Sequence, residues 1–152
     1  MASGFKLDDP EIAQAIAEVV DDKNEEVEYV IFGVDGNEKK VFVEKKGKGG
    51  LAEIKPDLHD DALQFIYYRT MSGDEESHRV KFVFVSWAGE AIRKPKLRAI
   101  MSILKADMKN IANNFHVEIH ATNLDDLNEE EIAIKIKKAG GADYSANTSA
   151  MN

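Results

Sequence analysis

The chain contains no cysteine, which excludes disulfides and thiolate metal sites and fits a reducing compartment. No apolar run approaches the roughly 18 residues that a membrane span requires, so neither a spanning segment nor a membrane partner is expected. Met1 to Asp9 lack the basic-then-apolar order of a secretory signal. Positive charge is also scarce, because 20 Lys and Arg face 28 Asp and Glu for a net charge of −8. Such a field repels polyanions, so nucleic acid is not an expected partner, and an anionic protein partner must meet a local basic patch. What is present, 43% apolar and 32% charged residues over 152 positions, fits one globular domain able to bury roughly two-thirds of its unfolded surface.

Asp9-Pro10-Glu11 reads as an N-cap, a first-turn proline and a dipole-complementing acid, and Ile12, Ile16, Val19 and Val20 continue at helical spacing, predicting a helix over 10–21. Val27 to Val34 is rich in β-formers, Asp35-Gly36 signals a turn, and Lys40 to Glu44 completes a hairpin. Lys45-Lys46-Gly47-Lys48-Gly49-Gly50 lacks the spacing of a phosphate-binding loop and reads as a solvated loop. A short helix over 51–60, containing Pro56, precedes a strand over 63–70 and a polar turn over 72–77. Val80 to Trp87 is apolar on both faces apart from Lys81 and Ser86, as a strand covered on both sides must be. Pro95 opens a long helix with Leu97, Ile100, Met101, Leu104, Met108, Ile111 and Phe115 at helical spacing. A short strand at His116 to His120 and a helix capped by Asn128 follow, and Gly140-Gly141 is expected to stop that helix behind Lys135, Lys137 and Lys138. This order implies one mixed sheet of about five strands with helices on both faces, an α/β or α+β domain.

Candidate chemistry is thin. His116, Glu118 and His120 share one face of a strand, but residues four apart on a strand lie about 13 Å apart, too far for one ion. No metal or cofactor is expected. No nucleophile elbow is present, and Asp125-Asp126 and Glu129-Glu130-Glu131 read as helix-start charges, so no catalytic residue is assigned and no enzyme is expected. The basic residues carry more. At about 100° per residue, Arg98, Lys105 and Lys109 project within about 40° of one another on the long helix, and Lys94 continues the stripe. Met101 and Met108 border it and are expected to be available to a partner. His78, Arg79 and Lys81 form a second cluster at the entrance of the apolar strand, with Arg79 and Lys81 on one face.

That strand and its exit, Arg79-Val80-Lys81-Phe82-Val83-Phe84-Val85-Ser86-Trp87-Ala88-Gly89-Glu90, resembles the core segment of actin-depolymerising-factor homology (ADF/cofilin) domains. The Trp-x-Gly-Glu exit is similar to that of coactosins within the family, and Lys137-Lys138-Ala139-Gly140-Gly141-Ala142-Asp143-Tyr144 resembles their helix end and tail. The resemblance spans the first helix to Tyr144. It implies a central mixed sheet of five to six strands between two pairs of helices; the small polar residues from Ala142 onward read as a flexible tail over 142–152 behind a domain over 5–141. The function it implies is binding of filamentous actin, with monomeric actin a further partner, and modulation of the cytoskeleton without severing by a monomeric cytoplasmic protein. Two surfaces are implied, one placing Lys96 and Arg98 on the long helix beside the N-terminus, the other combining Arg79, Lys81 and Lys138; the charge pattern adds His78 and Lys105. Met1-Ala2-Ser3-Gly4 resembles a cofilin start, which makes Ser3 a candidate phosphorylation site that blocks actin binding. Two alternatives stay open: a signalling adaptor or enzyme-chaperoning module on the same fold, and a cofilin-like severing protein.

Overall fold

A computed structural model describes residues 3–72 and 79–149, with residues 140–149 by backbone alone. The Asp9 carboxylate accepts the Glu11 amide at 2.9 Å and starts helix α1, Pro10–Val20. Strand β1, Tyr29–Asp35, turns into β2, Lys40–Gly47, where the Asp35 side chain accepts the amides of Asn37 and Glu38. Helix α2, Leu51–Ile54, is followed by β3, Leu63–Ser72, and β4, Arg79–Ala88. Helix α3, Pro95–Ile111, then crosses over to β5, Val117–Ala121, before helix α4, Glu129–Ser149. The sheet order is β2-β1-β3-β4-β5. The parallel pair β4 with β5 requires a crossover helix.

Alternation along β4 feeds two cores. Phe82 and Phe84 pack with Ile12, Ala15 and Val19 of α1 and Met101, Leu104 and Met108 of α3. Val83, Val85 and Trp87 pack on the opposite face with Leu51 and Ile54 of α2 and Ile132 and Ile136 of α4. The sheet is therefore sandwiched between two helix pairs, as expected, with five strands.

Three local expectations are corrected. The helix expected over 51–60 stops as an α-helix at Ile54 and continues as a single 3-10 turn, Lys55–Asp57, because Pro56 has no N–H to extend the ladder. Lys45, Lys46 and Gly47 are strand residues paired with Ile31, Val30 and Tyr29, and the two lysines hold Asp57 and Glu18 at 2.6 and 2.8 Å. Helix α4 passes through Gly140-Gly141 to Ser149. Glycine costs about 1 kcal/mol in a helix interior but keeps its N–H, so a pair weakens a helix without the block that proline imposes. Lys135, Lys137 and Lys138 consequently lie mid-helix and do not complement its C-terminal dipole.

Candidate functional site

The first candidate surface lies where β3 and β4 run past their helical cover. Thr70 pairs with Lys81 and Ser72 with Arg79, and the odd positions of β4 share the face covered by α4. Arg79 is exposed and Lys81 half-buried, and among the described residues neither forms an ion pair. A groove beside them is lined by Thr70, Met71, Ser72, Val80, Ile136 and Lys137. Met71, at 58% exposure, is the most exposed large apolar side chain described, and Ile134 on α4 is also exposed. Lys138 is exposed on α4, but it is the neighbouring Lys137 that lines the groove. His78 lies outside the described residues.

The second surface surrounds the start of α3. Lys94 is the N-cap, without a side-chain cap, and Lys96 projects into a groove shared with Ser3, Phe5, Leu97 and Ile100. The Ser3 amide donates to Asp107 Oδ2 at 2.9 Å, and the Ser3 hydroxyl accepts the Phe5 amide at 3.1 Å. Lys6 then bridges the edge of β2, donating to the Lys39 carbonyl and accepting from the Val41 amide. The N-terminal segment is thereby tied across α3 and β2.

Other residues of the basic stripe have internal tasks. Arg98 donates from Nε to the Ile92 carbonyl and from Nη2 to the Glu90 carbonyl, at 3.0 and 2.9 Å, and so holds the loop entering α3. Lys105 and Lys109 both face Glu118 of β5, at 3.8 and 2.8 Å. Met101 and Met108, expected to border the stripe in reach of a partner, are buried against the sheet. A helix packed on a flat sheet buries a wider face than its most apolar stripe, which takes both methionines inward.

The Trp-x-Gly-Glu exit of β4 proves to be a clasp. Trp87 Nε1 donates to the His59 carbonyl at 2.7 Å, and the Ala91 amide donates to the Asp60 carbonyl at 2.6 Å. A Cβ at Gly89 would lie 2.2 Å from the Asp60 backbone. Fully buried Gln64 completes the junction: its Nε2 donates to Glu44 Oε2 and the Asp57 carbonyl, and its Oε1 accepts the His59 amide. Glu44 reaches it because β2 bulges there, with Val43 opposite Phe32 and Lys45 opposite Ile31. Burial raises the Glu44 carboxyl pKa, with His59 and Gln64 opposing. Gln64 escaped sequence reading because one polar residue in an apolar strand carries no periodic signal.

His120 Nδ1 stands 3.1 Å from Ser86 Oγ, but Ser86 is fully buried, so no substrate reaches that hydroxyl. Among the described residues no group of acids and histidines is arranged to hold a metal ion, and no helix is long and apolar enough to cross a membrane.

Residues 4–137 match the family model described as cofilin/tropomyosin-type actin-binding protein. The chain is 70% identical over 146 residues to coactosin of Entamoeba histolytica, covering 96% of this chain and 97% of that protein. The crystal structure of coactosin from Entamoeba histolytica superposes with a TM-score of 0.88 at 65% identity, covering 91% of this chain and 99% of that one. The solution structure of mouse coactosin, described as an actin filament binding protein, superposes with a TM-score of 0.69 at 30% identity, covering 91% and 95%. Sequence, sheet order and helical sandwich thus agree, and the chain belongs to the cofilin/tropomyosin-type family of actin-binding proteins, on its coactosin branch.

Proposed function

We propose that this actin-binding chain acts as a monomer on filamentous actin in the cytoplasm, binding filaments without severing them and catalysing no reaction. The observation that carries this reading is the pair Arg79 and Lys81 on strand β4, two cations without an ion-pair partner among the described residues, beside Lys137 and exposed Met71. Carboxylates of acidic actin meet these heads, and Met71 and Ile134 supply apolar contact. The likeness to mouse coactosin, an actin filament binding protein, supports the choice of filaments. Lys96 and the N-terminal segment form the second contact, directed at monomers. Phosphate on Ser3 would stand near the Asp107 carboxylate, whose oxygen accepts the Ser3 amide, and like-charge repulsion would lift the segment from α3.

The test is co-sedimentation with purified filaments. Lys81→Glu places a like charge at the contact and is expected to lower affinity by about tenfold or more, with circular dichroism unchanged. Wild-type pelleting by this variant would remove β4 from the interface and favour the adaptor reading. Lys96→Glu, rather than a change at the loop-holding Arg98, separates the surfaces: it is expected to weaken monomer binding more than pelleting.

A further inference from the structure

Glu118 stands on edge strand β5 at an outward position, between inward Val117 and Ile119. Lys109 Nζ donates to its Oε1 at 2.8 Å, and Lys105 Nζ lies 3.8 Å from its Oε2. Lys109 also sits 5.7 Å from the centre of the Phe115 ring. The lysine side chains are 30% and 34% exposed and that of Glu118 is 30% exposed, so all three remain in reach of solvent and of another molecule. One carboxylate balances only one of the two ammonium groups.

The other acid at this level of α3, Asp107, is taken up by the Ser3 amide. On β5, His120 shares the face of Glu118 and is engaged with Ser86. Lys105 and Lys109 lie within about 40° of Arg98 around the helix, so they continue the stripe that begins at Lys94, whereas Lys96 stands about 160° away, on the side of Asp107 and Ser3.

We propose that Lys105 and Lys109 form a latent cationic surface, covered in the free protein by Glu118, which opens to an acidic protein partner by exchanging Glu118 for a partner carboxylate. The inference rests on the reading above, with actin as that partner. Partly exposed ion pairs are weak enough in water to be exchanged. A partner already docked on an adjoining surface presents its carboxylates at high effective concentration. Glu118 therefore sets how much of the helix an acidic partner can use, and it lowers affinity for such a partner.

The experiment compares filament pelleting by wild type, Glu118→Gln, Lys81→Glu and Glu11→Gln. Glu11 is exposed on α1, so its variant reproduces the change in net charge away from the clamp. Glu118→Gln is expected to bind about two- to fivefold tighter at low salt, the range of a partly exposed pair, while Glu11→Gln stays at the wild-type value. Adding Lys105→Met and Lys109→Met to Glu118→Gln is expected to erase the gain. If wild type and Lys81→Glu pellet normally while Glu118→Gln matches Glu11→Gln, the latent surface is refuted, without reference to any other reading. If the wild type does not pellet at all, the filament reading fails and the inference falls with it.

Discussion

A methyl group at residue 89 would stand 2.2 Å from both the carbonyl carbon and the oxygen of Asp60, and neither backbone atom can move without opening the loop that Trp87 clasps. Gly89→Ala is therefore expected to cost about 2 kcal/mol or more. At this chain length that lowers the thermal midpoint by about 4 °C or more, and an unchanged midpoint would show that the clasp yields freely. Glu44 supplies a second prediction at this scale. Its carboxyl is raised by burial, so the folded state holds the proton more tightly than the unfolded chain. That contribution is complete below the ordinary glutamate range and is lost as pH rises through the folded pKa. Glu44→Gln keeps an acceptor for Gln64 but no ionisable group. Its stability relative to wild type is expected to rise from about pH 4 to about pH 7 in denaturant titrations, and a fall over that range would contradict the assignment.

At the scale of elements, the end of α1 depends on a side chain from β3. Arg69 donates from Nη1 to the carbonyls of Val19 and Asp21 and from Nη2 to that of Asn24, each at 2.6 Å. The positive fork thus serves a helix C-terminus that has no basic residue in its own last turn. Arg69→Met keeps much of the stem and removes the donors, so a loss of about 2–4 kcal/mol is expected, with amide exchange rising first around Val20 to Asn24. Exchange that rises uniformly along the chain would argue against this local role. Elements were legible in the sequence wherever one local rule governed them: Asp9-Pro10 for α1, Asp35-Gly36 for the hairpin, Pro95 for α3. Reading failed where tertiary partners overruled local signals, as when pairing with Tyr29 to Ile31 drew Lys45 to Gly47 into β2.

For the whole molecule, a net charge of −8 opposes approach to acidic actin, so attraction arises only from local patches. Filament affinity is accordingly expected to fall as salt rises, because the Debye length shrinks to about 8 Å at physiological ionic strength. Salt-independent pelleting would transfer the main contact to apolar Met71 and Ile134. The sequence by itself determined the order of elements, the doubly covered strand β4 and the family, since periodicity, turn residues and the Trp-x-Gly-Glu exit are local properties of the chain. It also marked Arg79, Lys81 and Lys96 as candidate contacts. Only the tertiary structure decided which cations are spent internally. Arg69, Arg98, Lys105 and Lys109 look alike on a helical wheel or strand diagram, and their tasks depend on carbonyls and on Glu118 outside their own elements, brought near by packing. Local periodicity reports which way a side chain leaves its own element; what it meets there is set by the elements that fold against it.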